Sequence, residues 1–274
     1  MTGDAVPLLL IGCGKMGGAL LAGWLSRGLA SDNITIVEPA ADLASAIRAK
    51  HGVTVVAAAA ELPVDLRPAA LVFAVKPQMM DEVVPHFRRF VENGAWALSI
   101  AAGTTIGSVQ NRLGPEAAIV RAMPNTPAAI ARGITALCAN HKVTAGERQA
   151  AEALVAAVGD VVWIDDETLM DVVTAVSGSG PAYVFLMIEA LAEAGRMNGL
   201  PADIAERLAE ATVAGAGELA LVSDEAAGQL RRNVTSPGGT TEAALNVLMA
   251  ADGLPTLLER AVEAAIRRGR ELGG

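Results

Sequence analysis

Apolar residues follow two different rhythms along the 274-residue chain. Through residue 165, short continuous apolar runs alternate with segments of helical spacing. The runs lie at 7–12, 33–38, 53–56, 70–75, 96–101, 118–123, 134–139 and 160–165. Helical spacing covers 16–29, 42–51, 78–90 and 144–158. Apolar strands without alternation, linked by helices, predict a parallel sheet covered on both faces. The alanine run 57–60 reads as a loop or a frayed helix start. From residue 167 onward no strand pattern occurs. Helices are expected over 168–176, 181–197, 202–221, 224–233, 240–250 and 254–272. Pro181, Pro201 and Pro255 stand where helices begin, a position that needs no N–H. The change of rhythm puts a boundary near residue 166, with an α/β domain over 1–166 and an all-α domain over 167–274.

Composition narrows the class. Hydrophobic residues make up 52% of the chain, which excludes wholesale disorder. Mean hydropathy is +0.41, much of it alanine. No run of about 18 apolar residues escapes a charged or polar break, so no membrane-spanning helix is expected. A net charge of −9 disfavours a nucleic-acid partner, because phosphates need a basic surface. A small anion can still bind locally. Two cysteines, Cys13 and Cys138, make no disulfide framework and fit a reducing cytoplasm. The stretch before residue 8 is acidic rather than basic, and does not read as a signal peptide. No metal is expected.

The sharpest local motif is Gly12-Cys-Gly-Lys-Met-Gly17, which follows the first strand and opens the first helix. Glycines there permit a tight turn and close approach of a pyrophosphate to a helix N-terminus. Gly12, Gly14 and Gly17, with Lys15 and Met16 between them, are therefore candidate dinucleotide-binding residues. Glu38 ends the next strand, where a carboxylate can hold a ribose 2′-hydroxyl and favour NAD over NADP; it can also be a solvated strand-end charge. Lys76 ends a buried strand before Pro77, and either meets a cofactor phosphate or ribose or is merely a strand-end lysine. Asn125 lies between Pro124 and Pro127, and either bonds a nicotinamide amide or substrate or acts as a turn cap. Ser177-Gly-Ser-Gly-Pro-Ala-Tyr183 interrupts a helical pattern with small residues. Thr235-Ser-Pro-Gly-Gly-Thr-Thr-Glu242 sets hydroxyls at a helix start, either as an anion site or as an ordinary threonine cap. The all-α region has no lysine or histidine, so strong general acid–base chemistry at neutral pH is hard to run from it.

These motifs together resemble the pyrroline-5-carboxylate reductase family. The carriers are residues 11–17, 74–78, 123–128, 177–183 and above all TSPGGTTEAAL at 235–245. The resemblance implies an α/β Rossmann-type N-terminal domain that binds NAD(P)H and an all-α C-terminal domain that dimerises. It implies a cytoplasmic enzyme of proline biosynthesis that passes hydride to the imine carbon of 1-pyrroline-5-carboxylate. It also implies a homodimer, with assembly up to a decamer known in the family. Carried over, Lys76 and Asn125 match residues near the nicotinamide. Ser236, Gly238, Gly239, Thr240 and Thr241 match the loop that holds the substrate carboxylate, with the Thr241 hydroxyl near the ring nitrogen as the catalytic candidate. A protonated imine is already electrophilic, so orientation can suffice without an enzyme acid. NADPH is the family's expectation and Glu38 argues for NADH. The alternatives are a β-hydroxyacid-dehydrogenase-like enzyme, another imine reductase, or a non-catalytic NAD(P)-binding regulator. The first of these usually needs a lysine on the long helix of its second domain, and none is present here.

Overall fold

The computed structural model describes residues 7–273. The expectation about a leader concerns chiefly residues 1–6, which lie outside the described residues. The chain divides into two compact units. One runs to Gly178 and takes in the chain from Ile266 onward; the other is Ser179–Ala265. The predicted boundary near 166 marks a change of secondary structure. The compact unit extends past it because Met170, fully buried, belongs to the same apolar cluster as Leu9 and Phe73 of the sheet.

The first unit holds strands β1 (Leu8–Ile11), β2 (Ile34–Val37), β3 (Thr54–Val56), β4 (Ala70–Phe73), β5 (Trp96–Ser99), β6 (Ile119–Met123), β7 (Gly133–Ala139) and β8 (Gly159–Trp163). They form one sheet in the order β3-β2-β1-β4-β5-β6-β7-β8. Helices α1 (Lys15–Ser26), α2 (Ala41–His51), α3 (Met80–Val83), α4 (Arg88–Glu92), α5 (Ile106–Leu113), α6 (Ala145–Ala156) and α7 (Met170–Val173) belong to this unit. Leu10, Val72, Leu98 and Val120 bury one face of the sheet with Leu20, Leu21 and Trp24 of α1 and Leu154 and Val155 of α6. Leu9, Ile11, Phe73, Ala97 and Ile119 bury the other with Phe87, Phe90, Val109 and Leu113. Both faces are apolar, so the strands read as unbroken apolar runs.

The sheet departs from the expected all-parallel pattern at one pair. β6 and β7 are antiparallel, with Val120 opposite Ala139 and Met123 opposite Ala136. Their connection holds only a 3₁₀ turn, Thr126–Ile130. A parallel crossover needs about a dozen residues or more, usually with a helix, so the chain returns alongside itself. Where one helix is expected over 78–90, there is a chain of short turns: 3₁₀ at Pro77–Met79, then α3, 3₁₀ at Val84–Phe87, then α4. Pro85 cannot donate within a continuous helix and splits it. α5 has no counterpart in the sequence reading. The expected interruption at 177–183 is a π-helical turn, Thr174–Gly178, just before the next helix.

The second unit is helical: α8 (Gly180–Met197), α9 (Ala202–Val222), α10 (Ala227–Asn233), α11 (Thr240–Leu248) and the start of α12 (Leu254–Gly273). Ala192, Ala205 and Ala209 are its buried small residues on α8 and α9. Most of its large apolar side chains are exposed in the single chain, Phe185 at 57%, Leu208 at 52% and Val247 at 73% among them. The helical run Glu167–Met197 contains an 18-residue window of mean hydropathy 1.3, enough by length and composition alone to cross a membrane.

Candidate functional site

The strand order reverses direction at β1, whose neighbours are β2 and β4. Ligands of doubly wound sheets bind outside the strand carboxyl ends at such a point. The glycine loop leaves β1 there. Gly12 has φ +84°, and its N–H donates to Val37 O at 2.9 Å. A Cβ on Gly12 would stand 2.9 Å from Val75 Cγ1; one on Gly17 would stand 2.5 Å from Gly12 O. Gly14 is different. It is exposed, caps α1 without a side-chain bond, and has no protein atom within 4 Å of where its Cβ would be. Two glycines are thus demanded by packing, while the third keeps open the space over the free N–H groups of α1. Lys15 is exposed beside it and Met16 half-buried. This cradle fits a pyrophosphate.

Glu38 is only 7% exposed. Its Oε2 accepts the Cys13 N–H at 2.9 Å and its Oε1 accepts the Ala40 N–H at 3.0 Å. It is not a solvated charge: it ties the glycine loop to the end of β2. Each oxygen keeps a further acceptor site. The Cys13 thiol is pushed up to about 11, first by burial and then by the nearby Glu38 carboxylate.

Lys76 is exposed after β4, and its carbonyl accepts the Met79 N–H at 2.9 Å. Asn125 is more committed. Its Nδ2 donates to Ser177 O at 3.1 Å and its Oδ1 accepts the Ile134 N–H at 2.9 Å. The side chain therefore bridges the π turn and the start of β7. Gly178 serves the same approach, since a Cβ there would meet Met123 Cε at 2.5 Å.

In the helical unit, Gly238 turns the chain with φ +71° and donates its N–H to Glu242 Oε2 at 2.7 Å. The Gly239 N–H donates to Ser236 O at 3.0 Å. Gly239 caps α11 with no side-chain bond, so the threonines are not its caps. The first N–H groups of α11 have no acceptor within the helix. Ser236 and Thr240 are exposed and Thr241 half-buried. Open N–H groups with hydroxyls beside them can hold a carboxylate. Sequence reading missed the Glu242 closure, and it missed an ion pair between buried Arg121 and half-buried Glu167 at 2.8 Å. The signal for the pair was one arginine inside the apolar strand IVRAM.

Residues 167–272 match the family described as pyrroline-5-carboxylate reductase dimerisation. Residues 8–103 match the family described as NADP oxidoreductase, coenzyme F420-dependent. The chain is 40% identical to a pyrroline-5-carboxylate reductase of Pseudomonas aeruginosa over 265 residues, covering 97% of this chain and 96% of that one. Among solved structures, a pyrroline-5-carboxylate reductase from Coxiella burnetii matches with TM-score 0.93 and 35% identity over 99% of this chain and 100% of that one. A Plasmodium falciparum pyrroline carboxylate reductase with NADP bound matches with TM-score 0.83 and 30% identity over 99% of both.

Proposed function

The chain belongs to the pyrroline-5-carboxylate reductase family, and we propose on that premise that it reduces 1-pyrroline-5-carboxylate to L-proline with NADPH. The observation that carries the reading is the full-length likeness, which includes both the glycine loop and the 235–245 segment in one chain. When bound, the reduced nicotinamide would supply the hydride that the imine carbon accepts. The rest falls to the chain's own residues.

Gly12, Gly14 and Gly17, with the Lys15 and Met16 backbone, hold the pyrophosphate against the positive end of α1. Lys76 and Asn125 serve the cofactor side of the reacting ring. Glu38 lies where the ribose is read, and its carboxylate leaves NADH as a second usable cofactor. The loop at Ser236, Gly238, Gly239, Thr240 and Thr241 holds the substrate carboxylate through N–H groups and hydroxyls. The Thr241 hydroxyl bonds the ring nitrogen and orients it. A hydroxyl is far too weak an acid to protonate a neutral imine, so the substrate arrives protonated or takes its proton from water. Placement is then the chain's main contribution, worth up to roughly 7–11 kcal/mol of barrier.

The functional boundary lies near residue 166, which agrees with the start of the matched dimerisation region at 167. The exposed apolar side chains of α8, α9 and α11 form the face between two copies of the chain. That reading also accounts for the apolar run Glu167–Met197 without a membrane. Assembly beyond the dimer, up to a decamer, a cytoplasmic location and the absence of nucleic-acid partners complete the proposal. The test is NADPH oxidation with 1-pyrroline-5-carboxylate, with 3-hydroxy acids and NADP+ run in parallel. Consumption with the imine alone supports the reductase. Oxidation of hydroxy acids alone would favour the dehydrogenase alternative, and binding without turnover would favour a regulator.

A further inference from the structure

We infer that the ion pair of buried Arg121 with half-buried Glu167 is a positioning device that holds the nicotinamide half of the site for hydride transfer; this rests on the reductase reading above. Arg121 stands in the middle of β6 and is 5% exposed. Its register partners are Ser99 of β5 and Cys138 of β7. By strand alternation it shares the sheet face of Ile119, in the apolar cluster that also contains Ala97 and Phe73. A guanidinium is costly to desolvate there and is retained only with a partner. Glu167 is that partner: its Oε1 accepts from Arg121 Nη1 at 2.8 Å. The same oxygen accepts the Ile106 N–H at 2.7 Å, at the first residue of α5.

One carboxylate oxygen thus joins two strand exits. α5 follows the loop 100–105 that leaves β5. Arg121 lies two residues before Met123, where β6 passes into the loop that carries Asn125. β5 and β6 are parallel neighbours, and both loops lie at their carboxyl ends, where such a sheet meets its ligand. A methionine at 121 would pack into the apolar cluster without the desolvation penalty, but it would leave the two exits free to shift against each other. The glycine loop that grips the pyrophosphate is built by other residues, on β1 and α1. The pair therefore acts on the hydride step, where small misplacements cost rate steeply, and hardly on cofactor affinity.

The test uses the full-length enzyme and four variants: Glu167→Gln, Arg121→Met, Arg121→Lys, and Arg121→Met with Glu167→Gln. Glutamine at 167 keeps an acceptor for the Ile106 N–H and carries no charge. The readouts are kcat, KM for NADPH, thermal unfolding, and the primary isotope effect on kcat with cofactor deuterated at the nicotinamide C4. Glu167→Gln should lower kcat by about tenfold or more, leave KM for NADPH within about twofold, and raise the isotope effect. The double variant should recover thermal stability but not kcat. Arg121→Lys keeps the charge and should recover part of kcat relative to Arg121→Met. An unchanged isotope effect with kcat falling only as the folded fraction falls would overturn the inference, as would a double variant that regains turnover along with stability. If the Arg121→Met variants do not fold, Glu167→Gln and Arg121→Lys decide by the same readouts. Failure of the unaltered enzyme to oxidise NADPH with 1-pyrroline-5-carboxylate would instead overturn the reductase reading.

Discussion

The Glu38 carboxylate reaches from the end of β2 to the glycine loop and accepts the Cys13 N–H at 2.9 Å. The residue that reads the cofactor ribose in the proposed function also fixes the loop that holds the pyrophosphate. On that proposal, loop order and cofactor choice are coupled through one side chain.

Glu38→Ser should have two effects. It leaves the buried Cys13 N–H without its acceptor, so stability should fall by about 1–3 kcal/mol in denaturant unfolding. It also removes a negative charge that repels a 2′-phosphate, so the kcat/KM ratio of NADPH to NADH should rise. If stability falls and the ratio stays constant, Glu38 serves the loop alone.

Cys13 should be inert in the folded protein. Its thiol is raised from 9.0 to about 11, so almost no thiolate exists at pH 8. Iodoacetamide followed by mass spectrometry should show labelling of Cys13 only after denaturation. Between about pH 9 and 11 the unfolded thiol has lost its proton while the folded one keeps it. Stability should therefore fall as pH rises through that window, and Cys13→Ala should remove this part of the alkaline loss.

Gly14 and Gly17 should separate binding from folding. Gly17→Ala puts a Cβ 2.5 Å from a backbone oxygen, which must move, so it should destabilise the fold by about 1–3 kcal/mol. Gly14→Ala meets no protein atom, at a φ of −66° that alanine accepts. It should fold normally, within about 0.5 kcal/mol of the parent, yet raise KM for the cofactor. Thermal unfolding with and without NADPH distinguishes the two: Gly14→Ala should lose the ligand-induced rise, and Gly17→Ala should start lower.

The hydroxyl loop should orient the substrate. Thr241→Ala should lower kcat ten- to a few hundredfold, corresponding to about 1.5–3 kcal/mol for one orienting bond. Thr241→Ser keeps the hydroxyl and should keep most of the turnover. Ser236→Ala should act mainly on substrate KM, because a carboxylate contact is similar in ground and transition states. Full turnover by Thr241→Ala at saturating cofactor would show that another group holds the ring nitrogen.

The sheet was legible where burial on both faces leaves an unbroken apolar run, as in Leu8–Ile11 and Ala70–Phe73. α5 was hidden because it buries only Ile106, Val109 and Leu113 along eight residues, too sparse a stripe beside Gly103 and Gly107. The antiparallel β7 follows from the short link after Met123, a length the sequence does contain. The glycine motif and the hydroxyl loop were readable because their glycines and proline are rare inside regular helices and strands. The partners of Glu38 and Asn125 were not: a backbone N–H or carbonyl that meets a side chain leaves no mark on the composition. Glu242 could have been anticipated, since it stands three residues after the helix cap, where a side chain reaches back.

The proposed reaction passes hydride from the cofactor to a cyclic imine, and isotope transfer tests that directly. The enzyme is given 1-pyrroline-5-carboxylate and NADPH doubly deuterated at the nicotinamide C4, and the product is analysed by mass spectrometry and NMR. One deuterium should appear at C5 of L-proline for each cofactor oxidised. Cofactor oxidation without labelled proline, or no oxidation in the presence of the imine, would contradict it.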